Sequence, residues 1–289
     1  MILVDASVYI FRAYHALPDS LTGRDGQPLN AVYGFVDFMC NLLEQARPAR
    51  VGVAFDESLE SSFRNRFYPD YKANRESAPP ALKAQIRLCM DLCRAMGLTV
   101  LVSAEYEADD LIGSLMALED GPVTIVSSDK DLAQLLRSGD ILWDFARETR
   151  FDPNGIRDKF GVNCDQIADY LGLVGDPVDN IPGVAGIGAK SAAALLNAFE
   201  TLDSLYADLD AVEQLELRGA RAARRKLEVG RDIAFLSRRL ATIACDAPLS
   251  IADRDLAVRT ADGEALAALC DQQGIGSRLL DKMRNATGS

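Results

Sequence analysis

The 289-residue chain carries 31 Lys and Arg against 43 Asp and Glu and a single His, for a net charge of −12. With 48% hydrophobic residues it can bury a proper core, and 21 Gly with 11 Pro are too few for a fibrous or disordered polymer. One histidine, His15, argues against a serine triad or a histidine-rich metal centre, and the six cysteines form no CxxC pair, so chemistry here has to run on carboxylates.

The start, MILVDAS, has neither a basic n-region nor a long apolar run, so no signal peptide is expected. No stretch reaches the ~18 uncharged apolar residues of a membrane span. A soluble, cytoplasmic, globular protein is the expectation. Cys89 and Cys93, four apart in an apolar pattern, read as core.

Short runs rich in β-branched residues predict strands at 2–4, 51–55, 99–102, 123–126 and 141–143. Between them, helical spacing predicts helices over 32–43, 82–96 and 109–118, with Pro79-Pro80 marking a break before the second. Buried strands alternating with helices predict an α/β fold on a mainly parallel sheet. After Phe151 the strand signal stops, and helices are expected over 153–160, 165–172, 189–199, 221–240 and 263–273. The boundary falls near residue 150, between a core over 1–150 and a helical region over 151–289, with 285–289 as a frayed tail.

Acids cluster where strands give way to loops: Asp5 after the first strand, Asp56 after the second, Asp129 and Asp131 after the fourth. In open parallel sheets such positions lie on one edge, where sites form. EADD adds Glu107, Asp109 and Asp110 at a helix start, and GDPVDN adds Asp176 and Asp179. Any one of these acids is an ordinary cap or surface group. Converging together they would repel strongly unless cations neutralised them, and oxygen-only ligands suit Mg²⁺ or Mn²⁺. Two such ions about 4 Å apart are a common device for phosphodiester hydrolysis.

The stretch IPGVAGIGAKSA carries Gly183, Gly186 and Gly188 into a helix start, with Lys190 beside it. Main-chain N–H groups there can meet a phosphate oxygen. The spacing is neither a P-loop nor a dinucleotide turn; a helix-hairpin-helix on a DNA backbone fits better. Basic residues concentrate in two places despite the acidic total: seven over 61–100 against three acids, and five over 218–226 with no acid. Within the first lies YKANR, where Tyr71 is a candidate base-stacking platform and Lys72 and Arg75 are candidates to hold the scissile phosphate.

Together VDASVYIFRAYHA, VAFDE with FR following, YPDYKANR, EADD, SSDKDL and LGLVGDPVDNIPGVAGIGAKSA resemble the 5′-nuclease superfamily, the flap endonucleases and the 5′→3′ exonuclease domain of bacterial DNA polymerase I. The resemblance runs from Ile2 to about Leu249, in the family's motif order. It implies a PIN-like core, a helical arch or gateway near 61–97, and a helix-hairpin-helix or helix-three-turn-helix module near 173–199. By that resemblance Asp5, Asp56, Glu107 and Asp109 hold one metal, and Asp109 or Asp110 with Asp129, Asp131, Asp176 and Asp179 hold a second. Lys72, Arg75 and Arg12 fall on active-site basic positions, and 221–226 with Arg238 and Arg239 fall on the duplex side. Main-chain carbonyls of Leu173, Val174, Pro182, Val184 and Ile187 match a monovalent-cation (K⁺) site. The implied activity is Mg²⁺-dependent cleavage of DNA at 5′ flaps or 5′ ends, by a monomer, in replication and repair.

Polymerase-fused members continue for several hundred residues, whereas this chain stops at Ser289; its N-terminus and divergent tail favour a free-standing bacterial member over an excised domain. One rival is a catalytically silent, structure-specific DNA-binding protein. Another, a phosphatase using Asp5 as nucleophile, would want a second Asp two residues on, where Ser7 stands.

Overall fold

A computed structural model describes residues 1–56 and 62–288. Glu57 of the VAFDE motif, Ser61 at the expected start of the arch, and Ser289 lie outside the described residues. The strands are β1 (Ile2–Asp5), β2 (Val51–Asp56), β3 (Thr99–Ser103), β4 (Thr124–Val126), β5 (Ile141–Asp144) and β6 (Thr149–Phe151). The helices of the first half are α1 (Ala6–Ala16), α2 (Asn30–Ala46), α3 (Pro80–Ala95) and α4 (Ala108–Met116). Those of the second half are α5 (Pro153–Phe160), α6 (Ile167–Val174), α7 (Ala189–Phe199), α8 (Leu202–Ala207), α9 (Ala220–Val229), α10 (Arg231–Ala241), α11 (Ile251–Arg254), α12 (Gly263–Gln273) and α13 (Ser277–Thr287).

The sheet runs β3-β2-β1-β4-β5-β6, with the first five strands parallel and β6 antiparallel to β5. Val4 on β1 pairs with Val53 on one side and Val126 on the other. The winding reverses between β1 and β4, and the crevice beyond their carboxyl ends is the switch point where such sheets bind ligands. The expected strands are all present. β6 is additional: three residues, TRF, give no apolar run to read.

Alternation along β1 assigns its side chains to two cores. Ile2 and Val4 join the layer of α2 and α3, whereas Leu3 joins α4 and the helices that follow the sheet. On that second side, Leu111, Ile112 and Leu115 of α4 are continuous with Leu171, Leu195, Leu196 and Leu240 of α6, α7 and α10. The helical body therefore shares its core with the sheet.

Three boundaries differ from expectation. The single helix expected over 221–240 divides at Gly230, which leaves helical backbone with φ of −89° and ψ of 10° and where a Cβ would sit 2.8 Å from Val184 Cγ1. The tail expected to fray instead forms α13 through Thr287, with Met283 fully buried. The chain's last helices do not belong to the helical body: α12 packs on α3 and α13 on α2, and Leu266, Cys270 and Leu279 complete the first core.

The region expected as an arch also divides. Residues 62–79 hold one 3₁₀ turn (Phe63–Arg66) followed by turns, and α3 buries Leu82, Leu88, Cys89, Leu92 and Cys93 in the α2 layer. Residues 80–95 are thus core rather than arch. No helix among the described residues is long and apolar enough to cross a membrane.

If α12 is integral to the first core, Leu266→Ala removes a fully buried side chain and costs about 2–5 kcal/mol. The urea midpoint should fall with an unchanged slope in a single transition. An unchanged midpoint would show α12 to be a loose appendage.

Candidate active site: a carboxylate edge under a basic turn

Acids gather where strands reach the switch point. Asp5 closes β1 and Asp56 closes β2, while Asp129 and Asp131 follow β4 after a short connection over 127–130. Short hydroxyls hold these carboxylates: Ser127 Oγ donates to Asp5 Oδ2 at 2.8 Å, and Ser7 Oγ donates to Asp56 Oδ2 at 2.6 Å. The backbone N–H of Ala108 donates to Asp56 Oδ1 at 2.8 Å, tying the start of α4 to the end of β2. Ser7 is therefore a support for Asp56.

EADD becomes a helix start by reciprocal capping, with the Glu107 side chain accepting from the backbone N–H of Asp110 and the Asp110 side chain from that of Glu107. Asp109 and Asp110 then diverge, since successive helical residues are rotated by about 100°. Asp109 faces the acids. Burial and the neighbouring Asp129, Asp5 and Asp56 push its carboxyl well above the usual range.

Asp110 faces the other way and is fully buried. It accepts from Arg64 Nη1 and Nη2 at 2.8 Å each, from the Ala244 N–H at 2.8 Å and from the Glu107 N–H at 3.1 Å. Four donors saturate its oxygens. The expectation that Asp110 joins the metal-ligating acids is corrected on this ground, and of the pair Asp109 alone remains.

Burial, Asp56 and Asp129 raise Asp5 to about 7. Burial first, then Asp129, Asp176 and Asp179, raise Asp131, whose buried Oδ1 has no hydrogen-bond partner among the described residues. Asp129 also stands raised, by burial and by Asp179. Asp129 in turn raises Asp5, Asp109 and Asp131.

Above this edge sits the turn of residues 67–76, fastened to the 176–181 turn. Lys72 N–H donates to the Asp179 carbonyl at 3.0 Å, Asn74 Nδ2 to the Pro177 carbonyl at 2.8 Å, and Asn180 Nδ2 to the Asp70 carbonyl at 2.7 Å. Lys72 and Asn180 both adopt left-handed backbone, with φ of 56°. Lys72 Nζ lies 2.8 Å from Glu107 Oε2 and 3.7 Å from Asp179 Oδ2, and Arg75 pairs with Asp179 Oδ1. Burial alone would raise Glu107, but Lys72 and Arg64 outweigh it and hold the carboxyl below its ordinary value. Lys130, unassigned in the sequence reading, pairs with Asp176 at 2.7 Å.

No three Asp, Glu, His or Cys side chains among the described residues close into a ready coordination cage. The chain's own cations hold Glu107, Asp176 and Asp179. Asp5, Asp109 and Asp131 form no ion pair among the described residues, and their crowding, with the orphaned Asp131 oxygen, is the donor chemistry that a hard divalent cation fits.

Tyr71 is not available as a stacking platform. It is 4% exposed, and its hydroxyl donates to Glu107 at 3.1 Å. Arg12 is exposed but lines a cavity of about 880 Å³ between α1, α2 and α13, together with Tyr33, Phe38, Phe145, Arg278 and Lys282.

The glycine turn joins α6 to α7 as a helix-hairpin-helix. Gly186, Gly188 and Lys190 are exposed, and Gly188 N-caps α7. Gly183 is buried, its N–H is taken by Ser237 Oγ at 3.0 Å, and it has φ of 63° with the chain at Gly175 hard against it. Gly183 thus shapes the hairpin and cannot reach a phosphate. Lys226 Nζ donates to the Gly186 carbonyl at 2.9 Å, and Arg238 binds Asp169 and Asp203. Both are engaged by the chain itself, Arg238 half-buried and Lys226 exposed, and Arg221, Arg225 and Arg239 are exposed as well. Of the carbonyls expected around a monovalent cation, those of Leu173 and Val184 already accept one backbone N–H each.

The raised Asp5 fixes a sign. Between about pH 4 and 7 the folded state keeps a proton that the unfolded chain has lost, so ionising Asp5 destabilises the cation-free protein as pH rises. In EDTA, Asp5→Asn should melt progressively higher than the parent from pH 5 to pH 8. A difference independent of pH would contradict the raised value.

A family model for the 5′-3′ exonuclease N-terminal resolvase-like domain matches residues 1–161, and one for the C-terminal SAM fold of 5′-3′ exonucleases matches residues 162–264. DNA polymerase I of Pseudomonas aeruginosa is 41% identical over 290 residues, 99% of this chain and 32% of that protein. The chain thus spans about a third of the length of the curated polymerases it matches. The 5′-3′ exonuclease of Buchnera aphidicola is 30% identical over 262 residues, covering 90% of this chain and 91% of that protein. T5 5′-exonuclease, solved with divalent metal ions (zinc), has a TM-score of 0.65 at 23% identity, over 99% of this chain and 97% of its own. The catalytic core of Rad2 in complex with DNA substrate has a TM-score of 0.64 at 18% identity, over 99% and 90% of the two chains. These two likenesses establish the fold. By the family models and the Buchnera relative, the chain belongs to the 5′-3′ exonuclease family.

Proposed function

We propose that this chain is a divalent-metal-dependent nuclease that hydrolyses phosphodiesters of DNA at 5′ flaps or free 5′ ends. The observation that carries the reading is the carboxylate edge at the switch point, where Asp5, Asp109 and Asp131 are crowded together and form no ion pair among the described residues. Family membership supports a nuclease, and solved relatives described with divalent metal ions and with DNA support the cofactor and partner classes.

In this reading Asp5, Asp56, Glu107 and Asp109 hold one cation, and Asp129, Asp131, Asp176 and Asp179, with Asp109 nearby, hold a second. Mg²⁺ or Mn²⁺ held there supplies the Lewis acidity that activates water and offsets charge on the phosphodiester. Lys72 and Arg75, on their clamped turn, leave the carboxylates to grip the scissile phosphate and stabilise its developing charge. Gly186, Gly188 and Lys190 bind the duplex backbone at the start of α7. Arg221, Arg225 and Arg239 extend that grip. Carbonyls of the glycine turn, Val174, Pro182 and Ile187 among them, hold a monovalent cation. The same reading has a monomer acting in the cytoplasm, in DNA replication and repair.

A 5′-labelled flap incubated with protein and Mg²⁺ should release label as a short oligonucleotide, and EDTA should abolish release. Asp109→Asn should slow cleavage at saturating Mg²⁺ by at least about 100-fold. Wild-type rates in that variant would overturn the metal assignment, and flap binding without cleavage in any divalent ion would favour a silent DNA-binding protein. Lys190→Ala should weaken binding evenly across sequences and lower the salt slope by about one. An unchanged slope would remove Lys190 from the interface.

A further inference from the structure

Arg64 is the most deeply buried cation of the described residues near the site, with its side chain only 3% exposed, and no role in the chemistry falls to it directly. Its five N–H donors are nearly all placed. Two meet Asp110 in a bidentate pair, Nε donates to the Leu240 carbonyl at 2.8 Å, and Nη2 donates to the Thr242 carbonyl at 2.8 Å. Nη1 also stands 3.6 Å from Glu107 Oε2. Leu240 and Thr242 are the last turn of α10 and the residue beyond it, where cations are favoured. Arg239, one residue earlier, is exposed and lies over the Phe67 ring at 3.8 Å.

One guanidinium thus joins three things: the carboxyl end of a helix with a basic outer face, the first turn of the carboxylate helix α4, and the segment leading to Lys72. Asp110 is spent on holding that guanidinium, and its remaining acceptor capacity goes to Ala244 beyond α10 and to Glu107 itself.

Building on the nuclease reading above, we propose that Arg64 and Asp110 form a positioning pair: Arg64 registers the end of α10 against α4, and Asp110 serves Arg64, so that Glu107 and Asp109 keep their places when DNA loads α10. Neither residue touches substrate or cation. The pair acts on the chemical step through Glu107 and Asp109.

The test uses the full chain with four variants: Arg64→Lys, the paired exchange Arg64→Met with Asp110→Leu, Asp110→Asn alone, and Asp109→Asn. The paired exchange removes both buried charges at once, which well-packed apolar replacements tolerate. Three readouts are taken: Mn²⁺ bound to the DNA-free protein by electron paramagnetic resonance, flap Kd in Ca²⁺, and the single-turnover rate in Mg²⁺. For the paired exchange we expect Mn²⁺ stoichiometry and flap Kd within about threefold of the parent, with the single-turnover rate down about 10–100-fold. Arg64→Lys, which keeps the charge but loses the fork, should fall between the two. Asp110→Asn should also keep the parent's Mn²⁺ stoichiometry, whereas Asp109→Asn should lose a Mn²⁺ site.

Loss of a Mn²⁺ site on Asp110→Asn or on the paired exchange would make Asp110 a ligand and overturn the proposal. So would a parental rate in the paired exchange, which would leave the pair a role in folding only. If the paired exchange does not fold, Arg64→Lys and Asp110→Asn decide by the same readouts. A parent that binds Mn²⁺ but cuts no flap overturns the nuclease reading, and this inference with it, and that outcome is visible in the parent alone.

Discussion

Repulsion among carboxylates is the constraint to which the rest of this molecule responds. Two unit charges about 4 Å apart repel by about 4 kcal/mol at an effective dielectric of ~20, and a whole domain is stable by only about 5–15 kcal/mol. An edge on which burial and neighbouring acids push up Asp5, Asp109, Asp129 and Asp131 cannot ionise freely on such terms. The chain answers with Arg64 and Lys72 at Glu107, Arg75 and Lys72 at Asp179, and Lys130 at Asp176. What those cations leave uncovered is concentrated at Asp5, Asp109 and Asp131. The proposed cation site rests on this pattern of compensation, and so on the protein's own electrostatics.

Much of this was legible from the amino acids because its signals are local. β-branched runs marked the strands, an acid at the end of a strand needs no partner to be noticed, and the glycine turn announced the hairpin between α6 and α7. The misses at the site share a different cause: each depends on direction rather than on residue type. Asp109 and Asp110 are equivalent in a string and opposite on a helix. Tyr71 in a basic segment reads as a platform, yet its ring turns inward and only its hydroxyl serves the site. Gly183 and Gly186 look alike in sequence, but one packs backbone on backbone and the other faces outward. Lys130 did leave a trace, a cation between two acids in SDKDL, as did Arg64 in the FR that follows VAFDE. Finding their partners required the fold.

The turn over the edge shows how two poor backbone conformations sustain each other. Left-handed Lys72 and left-handed Asn180 each sit in a segment that has no regular structure of its own. Three hydrogen bonds from side chains and backbone tie the segments together, so the strain in one is held by the other. The result delivers Lys72 and Asp179 to the same point from residues more than a hundred positions apart in sequence. A rigid pair of turns can place charge more tightly than a long loop could, because less conformational freedom is left to lose.

The return of α12 and α13 to the first core has a bearing on how the molecule is made. Synthesis delivers β1 well before α13, so when residue 161 leaves the ribosome all six strands exist while the outer faces of α2 and α3 are still bare. Leu266, Cys270, Leu279 and Met283 arrive only after the entire helical body has been produced. The first lobe is thus sealed by a segment synthesised after the whole helical body, which is enclosed as one long excursion between the lobe's parts. Until that closure the nascent chain presents an apolar surface on α2 and α3, and the step that covers it joins residues more than 160 positions apart, the kind of contact that forms late.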